Sequence, residues 1–343
     1  MGNLYAQTLA QRLLVPVYLK YSFITGYDNN ILKLSNGEME NAIIGDPGLG
    51  NTLSFDSGYL KPSLHLIYSP QVINDFESNI IFKISQAAYN GSKDKNYYAL
   101  NSRLEFHFGS YQWLKFSYNN LPNYYLRHYR DKDSLTDEFY GCSFTSETMG
   151  ISYSHPITNN YWLELGVKNK TEFYNSHFTE FDLIKNEFLL GIHKKFSGDF
   201  KTVVLLSTGK AKNPSYNTGM VSTQLDRSYL INRWEISLSK GISDQALLIQ
   251  NLGINFKAEE RYYDLASEKY LDNWKYYFES KVAIWIQREI YEFISMKCQY
   301  HYTRQAADSN LNGDFDWISE LKDYSKHEIS IRVSYLTAID FYY

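Results

Sequence analysis

The sequence predicts an all-β protein, a transmembrane antiparallel up-and-down β-barrel, because three features recur along almost the whole chain. Apolar and polar residues alternate over long stretches, as in a strand with one apolar face. The polar connections between these stretches are alternately short and long. No run of about eighteen apolar residues occurs, which excludes a membrane-spanning helix. Counting the alternating stretches predicts fourteen strands.

The C-terminal stretch, residues 328–343, shows the alternation most clearly. Arg332 and Asp340 lie on one face, whereas the other face is almost wholly apolar. The residues of the apolar face are Ile329, Ile331, Val333, Tyr335, Thr337, Ile339, Phe341 and Tyr343. A strand of this length far exceeds the roughly five or six residues usual in soluble proteins.

This ending resembles the closing strand of Gram-negative outer-membrane β-barrels, porin-like proteins that end in alternating apolar residues and a terminal Phe, Tyr or Trp. The resemblance implies that Ile339, Phe341 and Tyr343 form the insertion signal read by the barrel-assembly machinery. It also implies a place in the bacterial outer membrane, with the lipid bilayer as a partner. Met1, Gly2 and Asn3 lack the basic start and apolar core of a signal peptide, so we expect one to have been removed.

The predicted organisation is a periplasmic lead-in, residues 1–14, followed by one barrel, residues 15–343. The strands, in chain order, cover 15–27, 60–69, 78–89, 97–108, 111–129, 139–154, 161–174, 181–196, 200–209, 228–240, 246–263, 274–287, 290–304 and 328–343. Strand seven is typical, because Leu163 and Leu165 alternate with Glu164. In strand six the alternation shifts near Ser146, which predicts a β-bulge there.

Most of the other strands are justified by the apolar residues on one face. These residues, in chain order, are Leu60, Leu64 and Leu66; Ile80, Phe82 and Ile84; Leu100, Leu104 and Phe106; Leu114 and Phe116; Met149 and Ile151; Phe188, Leu190 and Ile192; Leu230, Trp234, Ile236 and Leu238; Leu252, Ile254 and Phe256; and Val282, Ile284 and Ile286.

The connections sort by length. The long ones follow odd-numbered strands, at residues 28–58, 90–96, 130–138, 175–180, 210–227, 264–273 and 305–322. The short ones follow even-numbered strands, and residues 70–77 are long for that class. Outer-membrane barrels have short periplasmic turns and long extracellular loops. The pattern therefore predicts an even strand number with both termini on the periplasmic side.

Composition agrees with a barrel and excludes some partners. Aromatic residues make up 17% of the 343 residues, including 32 Tyr and 20 Phe, which girdles at two membrane interfaces would use. The net charge of −4 and the pI of about 6.1 exclude a nucleic-acid footprint. The mean hydropathy of −0.43 fits a wall in which only alternate residues face lipid.

The polar face is rich in charge, and lipid does not accept Arg or Lys at the bilayer midplane, where each costs about 2–4 kcal/mol. We therefore expect these side chains to line the lumen. Both signs occur on most strands, which favours ion pairs that solvate and stiffen the wall over a filter selective for a charged solute. The candidate lumen-lining residues are Arg103, Glu105, Lys115, Glu164, Lys168, Glu172, Lys185, Glu187, Arg233, Glu235, Lys257, Glu259, Arg261, Glu279, Lys281 and Arg332.

Three functions are compatible with such a barrel. The first is a porin-like channel or transporter for small solutes, open or closed by the 28–58 loop. The second is a closed structural or surface-interaction barrel that acts through its extracellular loops. The third is a barrel-housed hydrolase. The inward His107, His193 and His301 have no evident catalytic partner in the sequence, so we predict no catalytic residues and no enzyme.

One segment resembles a calcium loop. Its candidate ligands are Asp308, Asn310, Asn312, Asp314 and Asp316, with a glycine, Gly313, at the sixth place. The twelfth place is Ser319 where such loops carry Glu. The alternative is a surface turn rich in Asn, Asp and Gly. No other cofactor is expected.

Overall fold

The fold is that of a computed structural model, which describes residues 12–43, 47–71, 76–131, 133, 138–224, 226–242, 249–263, 274–309 and 323–340. Fourteen strands pair in sequence order, and the first pairs with the last, so that the sheet closes into a barrel. The β1–β14 pairing runs from Val17 opposite Ile339 to Asp28 opposite Glu328. The predicted fold class and strand number are confirmed.

The strands are long, and every neighbouring pair is antiparallel. Their bounds are β1 Val17–Asp28, β2 Ser57–Tyr68, β3 Glu77–Tyr89, β4 Tyr97–Gly109, β5 Gln112–Arg130, β6 Phe139–Thr158, β7 Tyr161–Tyr174, β8 Leu183–Lys195, β9 Phe200–Lys212, β10 Tyr229–Gly241, β11 Asn251–Tyr263, β12 Trp274–Tyr291, β13 Ile294–Ser309 and β14 Tyr324–Ile339.

The outer surface of the barrel is apolar. Phe23, Met149 and Val167 are 56%, 57% and 55% exposed, and they stand on the faces that carry the alternating apolar residues. So many exposed aromatic and aliphatic side chains on one continuous surface require an apolar surround. A closed sheet leaves no unpaired edge inside a bilayer, which is the condition for spanning it with strands. The chain is therefore a transmembrane barrel of the outer-membrane type.

Several predicted boundaries differ from the structure: β6 and β12 each continue four residues further, to Thr158 and Tyr291, β13 covers Ile294–Ser309 and not 290–304, and the starts of β11 and β14 are shifted. β11 begins at Asn251 and not at residue 246, so the preceding link spans residues 242–250 and is not a short turn. β14 begins at Tyr324, four residues before the predicted start. The first residues of this strand include the polar Ser325 and Lys326. The alternation of apolar residues therefore does not show where the strand begins. Strand pairing thus continues where the strand is no longer facing lipid.

The predicted bulge lies in the neighbouring strand. The β5–β6 register shifts between Leu121 and Tyr124 and again between Tyr125 and Arg127, whereas β6 pairs regularly with β7 past Ser146. The extra residues are in β5, where Asn123 has a positive φ of 46°. β6 itself keeps its alternation, and its outward residues become polar toward its outer end.

The connections hold the remaining elements. The link between β1 and β2, residues 29–56 (loop 1), contains the helix α1 Asn36–Ile43 and a 3-10 turn, Pro47–Leu49. Ser35 and Glu38 form a capping box, because the Ser35 hydroxyl accepts from the amide of Glu38 at 3.2 Å and the Glu38 carboxylate accepts from the amide of Ser35 at 2.9 Å. Two more 3-10 segments occur, at Ser176–Phe181 and Ser222–Gln224.

The end of the predicted lead-in rests on the periplasmic end of the barrel. The carbonyl of Leu13 accepts a hydrogen bond from the hydroxyl of Tyr68 at 2.8 Å, and the carbonyl of Arg12 accepts from the amide of Gln71 at 3.2 Å. The division into lead-in and barrel stays a prediction, since residues 1–11 lie outside the described part. No helix in the described ranges is both long enough and apolar enough to cross a membrane.

Candidate functional site: the charged lumen

The strand register places all sixteen predicted lumen residues on the inward face, opposite the exposed apolar face. Arg103 and Ser117 are partners across β4 and β5, for example, and their sequence neighbours Leu104 and Phe116 face outward. Apart from Lys168 and Arg332, every member of the set forms an ion pair within the described residues. Their role in selectivity stays a prediction.

A carboxylate between two guanidiniums dominates the outer half of the β8–β11 wall. Glu259 accepts from the Nε of Arg233 at 2.6 Å and from Arg261 at 2.6 Å. Arg233 also pairs with Glu187. The ring of Tyr229 lies 5.2 Å below the guanidinium of Arg261 and is 1% exposed. The alternating signs therefore neutralise one another where the side chains pack most closely.

Two further glutamates serve as hubs on neighbouring strands. Glu172 on β7 binds Lys170 and Lys185, each at 2.6 Å. Glu164, eight residues toward the inner end of β7, pairs with Lys115 at 3.5 Å and with His193 at 3.1 Å. Glu172 thus joins β7 to β8, and Glu164 joins β7 to β8 and, past β6, to β5, so the pairs tie neighbouring strands of the wall together.

The hydrogen bonds of Glu164 also bear on the hydrolase alternative. The Ser152 hydroxyl donates to Glu164 at 2.6 Å, and His193 contacts the other oxygen of the same carboxylate. In a catalytic triad the histidine stands between the hydroxyl and the carboxylate, so that it can take the proton of the nucleophile. Here the carboxylate stands in the middle, and this arrangement does not activate Ser152.

Loop 1 crosses the outer mouth of the barrel. The ammonium of Lys33 lies 3.9 Å from Glu279 on β12, whereas Glu38, five residues later, binds Arg127 on β5 at 2.8 Å. β12 and β5 are seven places apart in a ring of fourteen strands, which is half the circumference. The short segment between Lys33 and Glu38 therefore spans the barrel from one wall to the opposite one.

Apolar packing and polar contacts fix loop 1 in this position. Ile31, Leu32 and Leu34 are buried with Tyr125 of β5 in one cluster. The side-chain amide of Asn30 donates to the backbone of β14 at 3.1 Å. Together these contacts hold loop 1 inside the outer mouth, so it is not a free surface loop.

A buried lysine strengthens the same region from the β3–β4 connection. The ammonium of Lys95 donates to the carbonyl of Tyr125 at 2.9 Å and lies 5.0 Å from the ring of Tyr124. Lys95 is 3% exposed, and this burial holds the pKa of its ammonium well below the usual range. The carbonyl of Tyr125 and the ring of Tyr124 thus partly compensate the buried charge of Lys95.

The other side of the mouth is covered by three loops that pack on one another. His177 contacts Asp131 at 2.9 Å, and the amide of Ser222 donates to Asp133 at 2.8 Å. The amide group of Asn213 donates to the carbonyl of Glu180 at 2.9 Å. These contacts join the loops that follow β5, β7 and β9. Burial raises the pKa of the Glu180 carboxyl.

Water reaches the inward charges below these covers. The side chains of Arg103, Lys257 and Lys281 are 49%, 47% and 45% exposed although they point into the barrel. A lumen packed solid by side chains would bury them. The space they face therefore admits water, and a fourteen-stranded barrel has room for such a space.

Some sequence-predicted features fall outside the described residues. Asn310, Asn312, Asp314 and Asp316 of the proposed calcium loop lie there, as do Phe341 and Tyr343 of the insertion signal. Ile339 is the last residue of β14 and is exposed on the outer surface. Elsewhere, the described ranges contain no group of three or more His, Cys, Asp or Glu that could hold a metal ion.

Sequence reasoning missed several inward cations. Lys20, Lys83 and Lys33 were not among the predicted lumen residues. For Lys20 and Lys83 a signal was present, because each interrupts an apolar run at the inward parity of β1 and β3. For Lys33 there was none, since its place depends on the course of loop 1 across the mouth.

The sequence matches no protein-family model, and no curated protein is significantly similar to it. Among solved structures, a bacterial polysaccharide outer-membrane secretin is 6% identical, with 93% of this chain and 97% of that chain covered and a TM-score of 0.45. The anion-selective porin of Comamonas acidovorans is 10% identical, with 94% of this chain and 98% of that chain covered and a TM-score of 0.45. The outer-membrane channel DcaP of Acinetobacter baumannii is 11% identical, with 93% of this chain and 97% of that chain covered and a TM-score of 0.42. Likeness this distant carries no functional argument, and the barrel rests on its own strand pairing.

Proposed function

We propose that the barrel is a porin-like channel that passes small hydrophilic solutes across the outer membrane, with loop 1 as its constriction. The observation that carries this proposal is the hydration of the inward charges, since Arg103, Lys257 and Lys281 are almost half exposed inside a closed wall. A barrel that served only as a scaffold would have no need of a hydrated lumen lined with both charge signs.

The test is the conductance of the refolded barrel in a planar bilayer, with folding verified by heat-modifiable mobility. The wild type is expected to give steady, small unitary currents. A variant in which residues 31–55 are replaced by a short Gly/Ser linker is expected to give several-fold larger currents, because the segment from Lys33 to Glu38 no longer crosses the mouth. A folded wild type and a folded loop variant that both pass no current would refute the channel.

The second candidate is a closed barrel that acts through its outer loops. The contacts of Asp131, Asp133 and Asn213 favour it, because they join three loops into one cover. The two candidates predict opposite results for the loop 1 variant. Under the second, replacement of residues 31–55 leaves the barrel non-conducting, since the cover and the ion pairs still fill the outer half.

A further inference from the structure

Five basic side chains lie on one lumen wall, toward its inner half, in two directly opposed groups that are four residues apart in the β1–β14 register. The inner basic patch occupies adjacent strands β13, β14, β1, β2 and β3 and consists of Lys297, Arg332, Lys20, His65 and Lys83. Lys20, His65 and Lys83 stand directly opposite one another on three neighbouring strands. Lys297 stands directly opposite Arg332. Lys297 and Arg332 are therefore like charges in directly opposed positions, and such charges repel one another.

The patch has no acidic counterpart in the part of the chain that the structure describes. Farther out on its strands, Asp28 binds Lys326 at 2.5 Å and Glu328 accepts from the hydroxyl of Tyr59 at 2.5 Å. At the inner end, Glu77 binds His107 at 3.0 Å, and Asp340 lies four residues past Leu336, the partner of Lys20. Glu328 is four residues along β14 from Arg332, about 13 Å at a strand rise of about 3.3 Å per residue. None of the five side chains takes part in an ion pair with a described residue, in contrast to almost all other inward cations.

Two members present a charge that the protein does not neutralise. The Nε of Arg332 is buried and has no hydrogen-bond partner among the described residues. The ammonium of Lys297 lies 4.0 Å over the ring of Trp285, a contact with a π face and not with an anion. A buried guanidinium donor without an acceptor is costly, and a visiting anion would satisfy it.

We propose that the inner basic patch is a binding site for the anionic group of a small solute, a carboxylate or a phosphate. Lysine supplies compact point charges and arginine a planar fork, the combination that suits both groups. The proposal rests on the proposed channel function for its physiological meaning. It adds to that function a local preference: ion pairs neutralise most of the inward charges, whereas this wall from β13 to β3 holds an uncompensated positive field that attracts anions and repels cations.

The first test measures binding without any current. Thermal unfolding of the refolded wild type is followed in inorganic phosphate, in sodium succinate and in sodium chloride at equal ionic strength. Phosphate, succinate or both are expected to raise the Tm beyond chloride, since a ligand that binds only the folded state stabilises it. The variant K20Q/K297Q is expected to lose this gain. Equal Tm values in all three salts would overturn the proposal.

The second test measures selectivity by the reversal potential in a potassium chloride gradient. The wild type is expected to prefer chloride, and K20Q/K297Q is expected to lower the chloride-to-potassium permeability ratio several-fold. The charge-conserving K20R/K297R retains the ratio. The matched control K194Q/K240Q removes the same charge from exposed positions at the inner ends of β8 and β10 and leaves the ratio unchanged.

The outcomes separate the two proposals. Phosphate stabilisation that K20Q/K297Q abolishes, in a barrel that passes no current, supports the site and refutes the channel. Current whose selectivity is unaffected by K20Q/K297Q, together with equal stabilisation of wild type and variant, refutes the site and leaves the channel. A loss of selectivity in K194Q/K240Q as large as in K20Q/K297Q also refutes the site, since the effect then follows net charge.

Discussion

Individual glutamates stabilise the lumen because each of them holds more than one cation. Glu259 shows this best, with Arg233 and Arg261 both at 2.6 Å and its own side chain 12% exposed. Removal of a partner from a buried pair costs more than the pair contributes in excess of apolar packing, because an uncompensated charge is left behind. Here two guanidiniums lose their shared acceptor at once.

We therefore expect Glu259→Gln to lower the free energy of unfolding by about 3 kcal/mol. Urea unfolding of the barrel in lipid vesicles, followed by tryptophan fluorescence, measures the change. Glu235→Gln is the matched control, because its contact with Lys257 is 3.8 Å long and both side chains are more than a third exposed. Such a pair contributes less than about 1 kcal/mol. Equal effects of the two substitutions would contradict the interpretation of Glu259 as a hub.

The packing of the outer loops is expected to depend on pH through Glu180. Burial raises the pKa of this carboxyl above its value in the unfolded chain, and the nearby carboxylates Asp133 and Asp131 raise it further, whereas Arg227 lowers it. The folded loop therefore prefers the protonated form. Its stability rises as the pH falls through this raised pKa, and the gain is complete below the unfolded value near 4.5.

Hydrogen exchange of the amides in residues 176–182, corrected for the intrinsic rate, should therefore show greater protection at pH 5 than at pH 7. Glu180→Gln is expected to remove most of the difference, since Gln does not titrate; burial also raises the pKa of Asp182, which supplies the rest. Glu138→Gln, at an exposed carboxylate of the preceding loop, should leave it intact. Greater protection at pH 7 would show that Arg227 and not burial governs Glu180.

Loop 1 is the element on which the proposed channel depends most. Its helix α1 is too short to be stable alone, so its position comes from the capping box of Ser35 and Glu38 and from contacts with the barrel. Glu38 contributes to the capping and to the contact with the barrel, because its carboxylate accepts from the amide of Ser35 and also binds Arg127. The Glu38 side chain thereby couples the start of the helix directly to the wall.

Glu38→Gln is expected to weaken the docking of loop 1 by about 2 kcal/mol, less than for a fully buried pair because a quarter of the Glu38 side chain is exposed. Arg127, which is 8% exposed, then lacks the carboxylate with which it forms its ion pair. The measurements are faster hydrogen exchange in residues 30–43 and more frequent current fluctuations. Glu40→Gln, at an exposed position of the same helix, serves as the control. Unchanged exchange in Glu38→Gln would mean that the apolar cluster alone holds the loop.

At the scale of the molecule, the alternation of apolar and polar residues was enough to predict the barrel. A strand that spans a bilayer must place every second side chain in lipid, so Ile329, Ile331 and Val333 mark β14 whatever else the chain does. The same rule assigned Glu172 and Lys185 to the lumen. It failed where lipid no longer constrains the strand, as at Tyr324 and at the bulge in β5.

The pairing of the lumen charges could not be predicted in the same way. Parity says that Arg332 and Arg233 both point inward, but only the register shows that Arg233 meets two glutamates and that Arg332 faces Lys297. The crossing of loop 1 is equally hidden, since it depends on contacts between residues far apart in sequence. The sequence thus predicts which residues form the barrel wall, whereas only the three-dimensional structure shows which of the inward charges are paired.

Truncations at the C-terminus can distinguish insertion of the barrel into the membrane from the stability of the folded barrel. The resemblance to outer-membrane barrels implies that Ile339, Phe341 and Tyr343 are read by the assembly machinery, whereas the β1–β14 pairing that closes the sheet ends at Val17 and Ile339. Deletion of residues 341–343 removes no rung of this described ladder. We therefore expect the truncated chain to refold in detergent to a heat-modifiable barrel with nearly wild-type unfolding, yet to reach the outer membrane of cells in much lower amount. Deletion of residues 337–343, which removes the three paired positions Thr337, Ala338 and Ile339, should impair both. Failure of the shorter truncation to refold in detergent would place the role of these residues in closing the barrel and not in its recognition.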